Sequence, residues 1–164
     1  MRRRSADRHG SGVPRATEGD SYRIARLDER GDTVLVIEAD VPPSPVTPED
    51  RERFIGPIVE RDASMRRATQ EMVSLAPEVP PVIDQLIVDD QGLLWVRRFA
   101  RDDELPLYDL FTREGEYVRS VALGFAPSRY LPIRIRDGRI YALVRDSLDV
   151  PHVVRAGTTP LPEM

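Results

Sequence analysis

Apolar and polar positions alternate along most of this chain in short runs closed by glycine, the pattern of half-buried antiparallel strands. Tyr22 to Leu27 and Thr33 to Ile37 flank Asp28-Glu29-Arg30-Gly31, and the alternation places Tyr22, Ile24, Val34 and Val36 on a buried face. Tyr108 to Phe111 and Tyr117 to Leu123 flank Thr112-Arg113-Glu114-Gly115 in the same way. The segments YRIARLDERGDTVLVI and YDLFTREGEYVRSVAL therefore read as two copies of one hairpin. A second kind joins Leu86-Ile87-Val88 to Leu93 to Val96 through Asp89-Asp90-Gln91-Gly92, and Ile133 to Ile135 to Ile140 to Val144 through Asp137-Gly138. Glycine at these corners is predicted at positive φ, where a side chain would clash. A last strand is expected alone at Val150 to Val154.

Gly92, Gly115 and Gly138 stand 23 residues apart, so two hairpins make a unit of 46, within the roughly 40 to 50 residues of a propeller blade. The order of hairpins amounts to one whole blade with fragments on either side. The rhythm fails between Gly31 and Gly115, and residues 41–81, which hold eight of the fifteen prolines, are read as an insertion. Within it Thr47-Pro48-Glu49-Asp50 combines a hydroxyl cap, a proline at the first helical position and acids in the first turn. That helix is expected to end at Ile55, before Gly56-Pro57. A second is expected from about Asp62 to Leu75, with Met65, Ala68, Met72 and Leu75 on its apolar face.

The expected fold is all-β: a partial β-propeller of about two blades over 21–156, with the helical insertion at 41–81, a disordered tail at 1–20 and a short tail at 157–164. The tail assignment follows from the near absence of apolar periodicity in the first twenty residues. The length of 164 residues allows one ordinary domain, and the chain has no Cys, so disulfides are excluded. Every one of the 24 basic residues is Arg, which is most simply a GC-rich genome's choice of codons. A net charge of −4 argues against a general nucleic-acid binder. No apolar run is long enough for a signal peptide core or a membrane span.

At LIVDDQGLLWV followed by YDLFTREGEYVRSVAL the sequence resembles a blade of a six-bladed β-propeller of the NHL type. Val88, Asp89, Gly92, Trp95 and Val96 match the first half of that family's pattern, and Leu110, Phe111, Gly115 and Val118 the second. Two departures stand out: Arg97 where many blades carry Asp, and the charged loop Arg101 to Pro106 without the usual Asn. The chain also resembles bacterial six-bladed propeller proteins with a helical insertion between blades. The resemblance implies a C-terminal stretch of a longer, exported, periplasmic protein whose missing N-terminal blades would complete the ring. On function the resemblance is nearly silent, and the leading reading is a non-catalytic scaffold that binds a protein or small ligand. The alternative is a propeller hydrolase or lactonase with a metal in the central channel, a role the absence of Asn counts against.

Residue by residue, the chemistry is sparse, and no catalytic, cofactor-binding or metal-binding residue is assigned. His9 and His152 lack the spacing of a ligand motif. Asp89-Asp90 and Asp102-Asp103-Glu104 could offer oxygens to calcium, but hairpin-corner hydrogen bonding is the favoured use. Ser74, Ser120, Ser128 and Ser147 lie outside any G-x-S-x-G elbow, and the one G-S-G, at Gly10 to Gly12, precedes no helix. Arg97, Arg98 and Arg101 beside Trp95 and Phe99 could hold an acidic ligand, against the simpler reading of an exposed strand edge. The Arg2 to Arg4 cluster is read as too small to hold nucleic acid or lipid.

Overall fold

The structure, a computed structural model, describes residues 2–5, 13–16, 19–75, 78–101, 104–128, 131, 133–157 and 159–160. The chain forms two compact units: one spans Met1–Thr17, Tyr22–Asp40 and Ile83–Met164, the other Glu18–Ser21 and Val41–Val82. The described strands all lie in the first. They are β1 (Arg2–Ser5), β2 (Val13–Ala16), β3 (Tyr22–Leu27), β4 (Thr33–Ala39), β5 (Ile83–Val88), β6 (Leu94–Arg98), β7 (Leu107–Phe111), β8 (Tyr117–Ala122), β9 (Arg134–Arg136), β10 (Arg139–Arg145), β11 (Pro151–Gly157) and β12 (Thr159–Pro160). They build three antiparallel sheets, ordered β1-β4-β3-β2, β12-β8-β7-β6-β5 and β11-β10-β9.

Local chemistry accounts for the corners. Gly31, Gly92 and Gly115 sit at φ of 85°, 82° and 82°. In each loop the glycine N–H donates to the carbonyl three residues back, and that same residue's N–H donates to the carbonyl four residues ahead. An L side chain at such φ costs roughly 1–2 kcal/mol, which is why glycine marks these corners. Asp137 (φ 51°) and Gly138 (φ 67°) make the tighter two-residue turn. The strand expected to stand alone at Val150 to Val154 is instead half of a fourth loop hairpin: Asp146 N–H donates to Val150, and Asp149 N–H to Asp146. Its corner is Asp149 at φ 61°, so no glycine marked it in the sequence.

Within 1–20, the described residues Arg2–Ser5 and Val13–Ala16 form β1 and β2, which pair with the two edges of the hairpin β3–β4. On β4 Ile37 and Leu35 stand opposite Ile24 and Arg26 and share the face of Tyr22 and Ile24, while Val34, buried as expected, and the half-buried Val36 occupy the alternate positions. A register irregularity at Arg26/Leu27 shifts the pairing, and a one-residue shift turns every side chain over.

The second sheet lies between the other two. On one face of β7, Tyr108 and Leu110 join Trp95, Val121, Leu123, Ile133, Ile135, Ile140 and Ala142 in a core shared with the third sheet. On the other face, Phe111 meets the Tyr22 ring of the first sheet at a centroid distance of 6.3 Å. A Cβ on Gly115 would come within 2.9 Å of Leu35 Cδ2, so the turn presses directly on that sheet. Each fully buried apolar side chain here contributes about 1.5–3 kcal/mol, and β7, buried on both faces, gathers the largest share.

In the helical unit α1 (Pro48–Arg61) opens with a capping box: Thr47 Oγ1 accepts from Asp50 N–H, and the Asp50 carboxylate accepts from Thr47 N–H. It runs past Ile55 through Pro57, contrary to the expected stop. Ile55 and Val59, one turn apart, are buried with Val73 of α2 (Arg66–Ser74), and their burial outweighs the hydrogen bond the proline ring removes. On α2 the buried positions are Thr69 and Val73. Met65, Ala68, Met72 and Leu75, expected on the apolar face, are exposed: Met65 lies in the 3₁₀ turn Ala63–Met65, and α2 turns Thr69 and Val73 inward, Val73 against Ile55 and Val59 of α1.

Candidate functional site

Among the described residues of the strand unit the buried polar one is Asp109, which hydrogen-bonds to Tyr22 of the first sheet. Asp109 stands mid-strand in Leu107-Tyr108-Asp109-Leu110-Phe111 and is 2% exposed. A carboxylate so placed requires donors, and four reach it. Tyr22 Oη donates to Oδ2 at 2.9 Å, and Arg98 spans both oxygens, Nε to Oδ2 at 2.7 Å and Nη2 to Oδ1 at 3.0 Å. Ser120 Oγ donates to Oδ1 at 2.5 Å. Because the ionised carboxylate only accepts, the Ser120 proton is committed to it, and Tyr117 Oη, 2.9 Å from Ser120 Oγ, is the donor of that last link. The bond to Asp109 raises the pKa of Arg98, while burial and then the Asp109 charge raise that of Tyr22. The network ties the first and second sheets together through the Tyr22–Asp109 bond.

Next to it, at the hairpin-loop end, a cleft of about 300 Å³ opens between the same two sheets. Ile24, Leu35 and Ile37 form one wall and Val88 and Leu94 the other, with Thr112 and Arg113 at the loop. Arg26 also lines it. It stands two residues beyond Ile24 and opposite Leu35, a cation on an apolar sheet face. Its Nη1 donates to the Arg113 carbonyl, whereas its Nε is buried without a hydrogen-bond partner.

The residues singled out in the sequence fall elsewhere. Asp89 is a corner residue: Oδ1 accepts from the N–H groups of Gln91 and Leu93, and Oδ2 from Trp95 Nε1 at 2.9 Å. Asp90 accepts from Asp137 N–H at 3.1 Å. His152 repeats the Trp95 arrangement, its Nε2 2.9 Å from Asp146 Oδ2 while Asp146 Oδ1 holds Leu148 and Val150 N–H. Of the arginine trio, Arg98 is on Asp109, Arg97 Nε is 3.3 Å from Asp84, and Arg101 is 3.5 Å from Glu104. The structure thus disperses this group among internal carboxylates. Ser74 donates to the Glu71 carbonyl, and Ser120 belongs to the Asp109 network. His9, Gly10 to Gly12, Asp102 and Asp103 lie outside the described residues.

Asp109 and Arg26 were not singled out in the sequence. Their one signal is a charged residue on the apolar phase of a strand, and the contacts that cross between sheets, Tyr22 to Asp109 and Arg26 to Arg113, each span 87 residues. Among the described residues no group of three or more His, Cys, Asp or Glu is placed to hold a metal, and no helix is long and apolar enough to cross a membrane. No family model, curated protein or solved structure matches the chain.

Proposed function

We propose that the chain is a stretch of β-propeller, of the NHL-like kind its hairpins resemble, that serves as a non-catalytic binding scaffold holding a small anionic, largely apolar ligand between adjacent sheets. The propeller reading is supported by β5–β8, an antiparallel four-stranded meander covered on both faces by neighbouring sheets, which is the setting of a blade. The observation that carries the binding role is the cleft: aliphatic walls, a volume suited to a small molecule, and one arginine with a buried N–H left to donate. A carboxylate or sulfonate at Arg26 supplies the missing acceptor, and its apolar body displaces water from Ile24, Leu35 and Leu94.

The test is saturable binding of anilinonaphthalene sulfonate, displaced by octanoate. One site per chain is expected, octanoate competing at least about tenfold better than octanol, and Arg26→Leu removing that preference. Absence of saturable binding, or equal competition by octanoate and octanol, contradicts the proposal.

A further inference from the structure

The third sheet carries its charge on the face opposite the core. Ile135, Ile140 and Ala142 point inward. The register fixes what lies on the other side: Arg134 and Arg155 both stand directly opposite Tyr141, Arg136 stands opposite Arg139, Val153 opposite Leu143, and Pro151 opposite Arg145. Five arginines therefore ring a patch of Tyr141, Leu143 and Val153 on a sheet of three strands. All five are exposed, as is Val153 at 77%.

Two of these cations have a partner on their own turn. Arg136 lies 3.9 Å from Asp137 and Arg145 3.2 Å from Asp149. Among the described residues Arg134, Arg139 and Arg155 make no ion pair. Arg139 and Arg155 also line a polar hollow of about 500 Å³ with Asp137, Gly138, Ala156 and Gly157. Like charges directly opposite on a sheet are destabilising, so the Arg136–Arg139 pair works against folding in a chain whose net charge is −4. No described strand pairs with the outer edge of β11.

We propose that this face and edge bind an extended segment of a partner protein in which acidic and apolar residues alternate. A strand added along β11 gains main-chain hydrogen bonds, and every second side chain then points onto the face. Carboxylates meet Arg155 on β11 and Arg139 on the next strand, the guanidinium fork matching a carboxylate in bidentate fashion, and apolar side chains cover Val153, Tyr141 and Leu143. A single-stranded nucleic acid fits less well: it needs successive stacking rings, and the face has one aromatic beside two aliphatics that neither stack nor contact phosphate. The site lies on a different sheet from the Arg26 cleft and stands independently of it.

Fluorescence anisotropy with a labelled peptide alternating Glu and Val tests it, alongside a Lys-Val peptide and an oligothymidylate of matched length. The acidic peptide is expected to bind saturably and the other two at least about tenfold more weakly. Arg139→Glu with Arg155→Glu is expected to weaken the acidic peptide about tenfold or more, and Arg139→Gln with Arg155→Gln to weaken it by less, each pair melting as the parent does. Failure of the acidic peptide to bind, unchanged binding by both variant pairs, or tighter binding of the oligothymidylate overturns the proposal.

Discussion

A carboxylate inside a strand of Tyr, Leu and Phe survives because Tyr22, Arg98 and Ser120 saturate it. The same sheet holds the contrasting case: the Tyr108 hydroxyl is buried with no hydrogen-bond partner. Removing one partner from a satisfied buried charge leaves desolvation uncompensated, whereas removing an unpaired hydroxyl leaves nothing unpaired. Tyr22→Phe is therefore expected to destabilise the protein by ~1–3 kcal/mol, and Tyr108→Phe to be neutral or stabilising, as read by urea unfolding. The two tyrosines act together at high pH. Burial pushes the Tyr108 hydroxyl up to about 12, and burial followed by the Asp109 charge raises Tyr22 further. A raised folded-state pKa means that the unfolded chain loses its protons first, so stability is full below the ordinary tyrosine value near 10 and falls as pH rises above it. Melting temperatures measured from pH 8 to 12 are expected to hold to about 10 and then drop, and Tyr22→Phe is expected to shallow that drop.

Elements were legible where backbone and side-chain signals coincide. Gly31, Gly92 and Gly115 revealed three loops because the corner needs positive φ, whereas the fourth hid behind Asp149, although Asp146 repeats the Asp28 and Asp89 pattern of accepting from the N–H groups two and four residues on. Asp149→Gly is expected to stabilise the protein by up to ~1 kcal/mol, by relieving its φ of 61° at the cost of the Arg145 ion pair. Local signals end α1 at Ile55, because a proline and a glycine oppose helix there, while the contact that carries it onward, Ile55 and Val59 with Val73, is tertiary. Pro57→Ala restores a backbone donor and removes the ring's conflict with the preceding turn, so a gain of ~1–3 kcal/mol is expected in thermal unfolding.

At the scale of the molecule, alternation and corner spacing announced antiparallel hairpins, and the structure is β-rich with three antiparallel sheets. What lies between sheets could not be read from local pattern. Asp109 meets Tyr22, and Arg26 meets Arg113, across 87 residues, and the arginine face emerges only when the register brings residues 134, 141 and 155 side by side. The cleft, the network and the burial of β7 all depend on the second sheet being covered on both sides. Proton NOE spectroscopy tests that most directly. Cross-peaks between the Tyr22 and Phe111 rings, and between the Trp95 or Tyr108 rings and the Ile135 and Ile140 methyls, are both expected in one spectrum. Cross-peaks confined to neighbours within each sheet would contradict the stacked arrangement.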